Sequence, residues 1–466
     1  MILRLHYDTR PLTFDQATDS GDIGVSDQLY ARLQIRSAWS KHAVIATIPS
    51  IEVVAEPGAE RDVEWVENLL ADIIHDLGNS CMDNWWGAKQ AVQNAHLVAC
   101  EPKQDGLRGA GMGHSAICIG SGPTARNHLR QIARCQGRHI IIVADSIFNA
   151  CCEAGIRPHF VTAIERVPEI ARLMNPYLCP TTWLCAPPII HPDLAAHWAG
   201  RRLWWWQGTE WLYRWLGHAV QGLTSGRTAG TLSVALAHAL SCDHVYLVGH
   251  DLCHVDGRSH DQGAPEITRQ LQIQDEQNQA NRLHRPINVR CHDGVERQST
   301  VLWGLLRNDI AGICSGRPGI TFSIGDKGAE IPGVPWMSAI PVPSGEPWHM
   351  PTRPKVTMTR YNRRCNSQVL DALTAFRVMA QAWADAPTHQ ARTTAFEDMV
   401  SIRWAHRDVA DLIRYVCEPV FTAASVRMHL RRKEGPSAAL TLGGNLISRG
   451  VLGMLSVMVR DMAVDQ

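Results

Sequence analysis

Three places in the chain gather residue types that could do chemistry. The first is Gly120-Ser121-Gly122-Pro123-Thr124-Ala125, directly after the apolar run Ala116–Ile119. Glycines let a backbone bend tightly and let a phosphate or nucleoside approach without meeting a Cβ. Pro123 suits the first turn of a helix, where a missing N–H costs nothing, and a helix start favours an anion. The turn also fits the loose pattern G-x-G-x-x-A. Asp145, at the end of the next apolar run, stands where that pattern wants a ribose-binding acid. A nucleotide, NAD included, or a tight turn without a ligand are the alternatives for this element.

The second place is Thr224-Ser225-Gly226-Arg227-Thr228-Ala229-Gly230, which opens a helical stretch reaching Cys242. Hydroxyl residues there serve as N-caps. They could equally cradle a phosphate or carboxylate, with Arg227 supplying the charge. The third is the end of the run HVYLV, Gly249-His250-Asp251, with His254, Asp256, Arg258, His260 and Asp261 close behind. Imidazole exchanges a proton near neutral pH, so a histidine acting as general base is the chemistry to look for. The histidines lie on a loop rather than on one helix face, and no second cluster closes a metal site. For any one of them a plain polar loop residue remains the ordinary alternative.

These groups need a scaffold, and the flanking pattern supplies one. Short apolar runs at Ala116–Ile119, His139–Ala144, Phe160–Ile164, Thr182–Cys185, Leu203–Trp206, His244–Gly249 and Thr321–Ile324 alternate with helical segments. Those segments begin near Thr124, Ser146, Val167, Asp193, Thr228 and Ser299. The alternation predicts a doubly wound, parallel, Rossmann-like α/β sheet, buried on both faces. In such sheets ligands sit outside the carboxyl ends of the strands, so all three places belong to one edge.

The flanks differ. Residues 1–113 carry a strand-like run, Ala43–Ala55, a helical pattern over Val63–Asp76, and a glycine-rich linker before His114. A proline-rich stretch from Pro332 to Pro354 precedes a C-terminal part with helical periodicity at Val369–Ala384 and Phe396–Val416. The expected division is an N-terminal α/β region at 1–113, a catalytic domain at 114–340 and a helical region at 355–466.

Composition narrows the function classes. Lys+Arg and Asp+Glu are 45 each, which argues against a general nucleic-acid or membrane-surface binder. Fourteen cysteines occur without any C-x-x-C pair, as expected of buried, reduced thiols in a cytosolic protein. The first ten residues hold no apolar core of a signal peptide, and no apolar run is long enough for a membrane span. A cytoplasmic protein is expected.

An ordered series of motifs then carries a family resemblance. It runs Ile119-Gly120-Ser121-Gly122-Pro123-Thr124, Val143-Ala144-Asp145-Ser146, and Gly155-Ile156-Arg157-Pro158-His159-Phe160 leading to Ile164-Glu165-Arg166. It continues with Thr224-Ser225-Gly226, Tyr246-Leu247-Val248-Gly249-His250-Asp251-Leu252 and Ile324-Gly325-Asp326-Lys327-Gly328-Ala329-Glu330-Ile331-Pro332-Gly333. Upstream, Asp83-Asn84-Trp85-Trp86-Gly87 and Asn94 extend it. The series resembles the motility-associated factor (Maf) glycosyltransferases, which share a core with the 6-hydroxymethylpterin pyrophosphokinase MptE-like family. The core is also similar to bacterial sialyltransferases.

The resemblance implies transfer of a nonulosonic acid from a CMP-activated donor to Ser or Thr hydroxyls of a protein such as flagellin. It places Gly120, Ser121, Gly122, Pro123, Asp145, Thr224, Ser225 and Gly226 around the donor nucleotide, and Thr124, Ser146, Glu165 and Arg227 are further candidates for binding it. Asp251, His260 and His292 are the candidates for catalysis, with His254 behind them. Ser121 stands where the sialyltransferase turn has Asn, and His250 replaces the usual Gln or Ile. Arg227, Arg258 and Arg297 are candidates for holding the sugar carboxylate. CMP carries one phosphate, so no metal or other cofactor is expected. The alternatives are an MptE-like pyrophosphokinase using ATP and Mg²⁺, for which Asp145 and Glu165 could supply carboxylates, and a non-catalytic nucleotide-binding domain. An NAD enzyme recedes once the Thr-Ser-Gly and Gly-His-Asp elements are taken together.

Overall fold

The computed structural model describes most of residues 81–205, 226–261 and 285–351, with shorter segments at 2–6, 22–24, 52–55, 364–386 and 451–460. The expected helix at Val63–Asp76, most of the run Ala43–Ala55 and most of the stretch Phe396–Val416 lie outside the described residues. Residues Met1–Trp86 with Asn362–Gln466 form one compact unit, and Gly87–Tyr361 form another.

In the first unit β1 (Ile2–His6), β2 (Asp22–Gly24) and β3 (Glu52–Ala55) form a small parallel sheet in the order β2-β1-β3. Towards the C-terminus residues 364–385 are helical, as are residues 451–460. A helix, α1 (Cys81–Cys100), leads into the second unit.

That unit is built on eight strands. In chain order the elements are β4 (Ser115–Ile119), α2 (Ala125–Cys135), β5 (His139–Ala144), α3 (Phe148–Glu153), β6 (Phe160–Thr162), β7 (Trp183–Ala186), α4 (Pro192–His197), β8 (Arg202–Trp204), α5 (Ala229–Ala239) and β9 (His244–Val248). A hairpin of β10 (Pro286–Arg290) and β11 (Glu296–Thr300) follows, then α6 (Val301–Ser315), β12 (Thr321–Ile324) and β13 (Trp336–Met337). The sheet order is β13-β12-β9-β4-β5-β6-β7-β8, and every neighbouring pair is parallel.

The expected α/β architecture is present. Strand β5 coincides with the run His139–Ala144, and all six of its residues are buried. Successive side chains alternate between faces. Ala116 and Cys118 of β4, with Ile140 and Ile142 of β5, join a core with Leu232, Leu236, Leu240 and Ile310 from α5 and α6. Ile117, Ile119, Ile141 and Val143, which point the other way, are also fully buried. Helices therefore cover both faces, which is why the strands read as unbroken apolar runs.

Two features depart from the expected pattern. The hairpin β10–β11 has no counterpart in it: only Ile287 and Val289 of β10 turn inward, and β11 carries no apolar residue. Ser299 lies on β11, and the helix expected near it begins at Val301, capped by the Thr300 hydroxyl. The glycine-rich stretch before His114 is packed rather than free. Gly111 donates its N–H to Leu240 O at 2.7 Å, and a Cβ there would lie 2.7 Å from Cys242 Sγ.

The chain starts the sheet at β4 and builds outward through β8. It then returns to lay β9, β12 and β13 on the other side. The strand order thus reverses between β4 and β9, and the crevice beyond their carboxyl ends is where such sheets bind ligands.

Candidate functional site

Both strands that flank the reversal end in glycine, and the two ends are bonded to each other. Gly120 donates its N–H to Val248 O, and Gly122 donates to Gly249 O, each at 2.8 Å. A Cβ on Gly120 would lie 2.7 Å from Gly249 O; one on Gly122 would lie 2.4 Å from Asp251 Oδ2. Gly249 has φ of 65°, and its Cβ would lie 2.5 Å from Gly120 O. The absence of a side chain is demanded here by the protein's own backbone.

Asp251 completes this joint. Its Oδ2 accepts the Thr124 N–H at 2.8 Å and its Oδ1 accepts the Thr124 hydroxyl at 2.7 Å. Thr124 is the N-cap of α2, and its side chain makes no cap bond because it is turned to Asp251. Burial raises the Asp251 carboxyl, against the two Thr124 donors and Arg297, which lower it. The segment Gly325–Gly333 closes over the same residue: Ala329 donates to Asp251 O at 2.8 Å.

The loop after Asp251 folds back onto the glycine turn. Val255 and Arg258 exchange backbone bonds around Asp256 and Gly257, both at positive φ, forming a tight turn. Asp261 donates its N–H to Ser121 O at 2.8 Å, and its carboxylate accepts from Arg126 Nε at 2.7 and 2.8 Å. His260 is thereby set beside the turn, its Nδ1 3.1 Å from Ser259 Oγ and its ring edge-on to Trp303. His254 stands edge-on to the same Trp303.

His292 lies elsewhere, at the bend of the β10–β11 hairpin, where its N–H reaches Gly328 O at 3.1 Å. Burial lowers its pKa, against the acidic groups of Glu330, Asp293 and Asp326. His250 is buried between β9 and α5, with ring nitrogens 3.2 Å from Val248 O and 3.3 Å from Gly230 O. Burial lowers its pKa as well, so the ring is neutral and donates to one of these carbonyls only.

The next two strand ends have a different character. Asp145 follows β5, almost wholly buried, with Oδ1 accepting the Ser146 N–H at 2.7 Å. Its pKa is raised to about 7, by burial first and by Glu165 second. Glu165 follows β6 and opens to solvent on one side, while the protein around its inner side raises its pKa against the nearby Arg166. Helix α1 backs this corner: Gln90 donates to Arg166 O at 2.7 Å, and Asn94 donates to Pro188 O and Ile190 O, each at 2.9 Å.

The second glycine element begins within the described residues at Gly226; Thr224 and Ser225 lie outside them. Gly226 has φ of 69°, and a Cβ there would lie 2.3 Å from Thr231 Oγ1. Thr228 and Thr231 form a reciprocal capping box at the start of α5. Arg227 donates to Asp309 on α6 at 2.6 Å, so its charge is matched within the protein. Arg297 likewise forms a two-pronged pair with Asp293 at 2.7 and 2.5 Å. Arg258 is exposed.

Residues 89–257 match the family described as 6-hydroxymethylpterin diphosphokinase MptE-like. The matched stretch is about a third of the chain. It spans β4 through β9 and so contains the reversal of strand order, both glycine turns, Asp145, Glu165 and Asp251. The whole fold is similar to the solved structure of a MAf glycosyltransferase from Magnetospirillum magneticum AMB-1. The two are 14% identical with a TM-score of 0.56, over 95% of this chain and 70% of that one. No curated protein matches the chain. The fold is thus like that of the MAf glycosyltransferase, and the stretch 89–257 is similar to the MptE-like family.

Within the matched stretch, the structure brings Gly120–Thr124, Asp145, Ser146, Glu165, Gly226, Arg227 and Asp251 to the carboxyl edge of one sheet. His260 joins them through Asp261, and His292 approaches only through the backbone of Gly328. Sequence reasoning passed over Arg126 and Asp309. Their partners lie 135 and 82 positions away, a separation that carries no local signal. Among the described residues no three His, Cys, Asp or Glu side chains gather as metal ligands. No helix of the described residues is long and apolar enough to cross a membrane.

Proposed function

We propose that this protein is a glycosyltransferase that moves a nonulosonic acid from a CMP-activated donor to Ser or Thr hydroxyls of a protein such as flagellin. One observation carries the reading. The likeness to the MAf glycosyltransferase covers 95% of the chain, flanks included, whereas the diphosphokinase-like match is confined to residues 89–257.

The geometry supports a donor lying across the crevice beyond β4 and β9. Ser121, Pro123 and Thr124 present the start of α2 to the leaving phosphate. Asp145 and Ser146 stand where the ribose would lie, and the loop that ends in Gly226 is assigned to the same nucleotide. In the reaction the acceptor hydroxyl attacks the anomeric carbon, the bond to the CMP phosphate breaks, and a base takes the hydroxyl proton. His260 is the base this reading favours over His292, because Asp261 ties its loop to Ser121. Arg258, the exposed one of the three candidate arginines, is available to the sugar carboxylate. CMP leaves as a monophosphate, so this chemistry needs no metal.

Asp145 and Glu165 favour a second reading. Two carboxylates at neighbouring strand ends suit Mg²⁺, which takes one or two protein carboxylates beside substrate phosphates. That is the requirement of a diphosphokinase using ATP. Calorimetric titration with CMP, CDP, ATP·Mg²⁺ and NAD separates the two. Metal-independent binding of CMP is the expected result. Mg²⁺-dependent binding of ATP alone would replace the transferase by the diphosphokinase. The acceptor is tested by release of CMP on adding flagellin and a CMP-nonulosonate.

A further inference from the structure

Two cysteines bracket the segment that carries Glu165. Cys152 lies in α3, which follows Asp145, and Cys179 lies shortly before β7. Between them run β6, Glu165, Arg166 and the exposed side chains of Val167, Tyr177 and Leu178. The two sulfurs are 3.0 Å apart although the residues are 27 positions apart in the chain. Cys179 is buried and Cys152 is half-buried, so Cys152 is the more accessible of the pair.

We propose that Cys152 and Cys179 are an oxidation site: a dithiol that a small-molecule disulfide converts to an intramolecular cross-link, closing the Glu165-bearing segment into a loop.

The chemistry balances with one oxidant. The Cys152 thiolate attacks a sulfur of the disulfide, forming a mixed disulfide and expelling one thiolate. The Cys179 thiolate then attacks the Cys152 sulfur and expels the second. The protein loses two electrons and two protons, and the oxidant is reduced to two thiols. The sulfurs need to approach by about 1 Å to reach bonding distance. Burial and the neighbouring Cys179 raise the Cys152 pKa, so the pair reacts slowly at neutral pH and faster under alkaline conditions.

Two other parts of the molecule act as internal references. Cys253 and Cys291 are also adjacent, at 3.7 Å, but both are sealed in the core. Cys100 is exposed and has no sulfur partner among the described residues.

The test is oxidised glutathione added to the full-length protein at about pH 8.5, where more of the thiol is ionised, followed by alkylation and peptide mapping. The expected result is loss of two alkylatable thiols, at Cys152 and Cys179, in one cross-linked peptide pair. Cys100 should carry glutathione and Cys253 and Cys291 should stay alkylatable. In Cys152→Ser the cross-link should be absent, and in Cys179→Ser Cys152 should stop at the glutathione adduct. Protease cleavage after Arg166 should slow in the oxidised wild type and not in either variant. Glutathione on Cys100 with Cys152 and Cys179 both still alkylatable would overturn the proposal, as would a wild-type Cys152 that stops at the adduct. The outcome is independent of which nucleotide the site binds, so its failure leaves the transferase reading untouched.

Discussion

Two stretches of the same sheet edge carry buried carboxylates and treat them in opposite ways. At the β4–β9 joint Asp251 spends both oxygens on Thr124, and Asp261 spends both on Arg126. At the β5–β6 ends Asp145 has, among the described residues, only its neighbour Ser146, and Glu165 adds like charge to it. A carboxylate that is fully hydrogen-bonded within the protein holds the fold together. One left with raised proton affinity at a cleft is available to a substrate. The joint therefore braces the strand ends, and the β5–β6 corner keeps two carboxyls of raised proton affinity.

The comparison can be broken most severely at the joint. Gly122→Ala puts a Cβ against Asp251 and Gly249, neither of which can retreat without opening the strand ends. We expect a loss of about 3 kcal/mol or more in denaturant unfolding. Asp251→Ala comes next. It strands the Thr124 N–H and hydroxyl, at a cost of about 2–3 kcal/mol, and should disorder the glycine turn enough to weaken nucleotide binding. A stability loss without any change in nucleotide affinity would detach the joint from the site.

At the other corner the sign reverses. The Asp145 pKa is raised to about 7, above its unfolded value of 3.8. Its contribution is full below the unfolded value and is lost as pH rises through about 7, because ionising the buried group is penalised. Asp145→Asn should therefore stabilise the protein above neutral pH, by about 2 kcal/mol, and flatten stability between about pH 4 and pH 7. The same substitution should weaken nucleotide binding. A destabilised Asp145→Asn at pH 8 would place Asp145 with the bracing carboxylates instead. The smallest effect belongs to Arg126→Ala. The Arg126 side chain is 47% exposed, so losing its pair with Asp261 should cost less than about 1 kcal/mol. A pH-independent loss of transfer activity in that variant would give the Asp261 loop a larger part in catalysis.

Much of the scaffold was legible in the chain. The run His139–Ala144 is β5 to the residue, and the turns at Gly120 and Gly226 sit where strand-to-helix patterning placed them. Thr228 could be read as a cap because it is a hydroxyl residue directly before a helical stretch, and the structure adds its reciprocal bond with Thr231. The hairpin β10–β11 was not legible. Its apolar face is only Ile287 and Val289 on β10, with none on β11, too short a pattern to set a period. Glycines 120, 122 and 249 were visible as special, but not the reason: they admit the facing strand end as much as any ligand.

What the sequence by itself determined is local. Period, glycine and capping residues act over a few positions, so they specified the parallel strands, the turns between them and the edge at which the chemistry gathers. What only the tertiary structure decided is which charges remain available. Asp251 meets Thr124 across 127 positions, Arg126 meets Asp261 across 135, and Arg227 meets Asp309 across 82. Electrostatic satisfaction depends on distance in space and on exclusion of water, and neither is written in the spacing of residues along the chain.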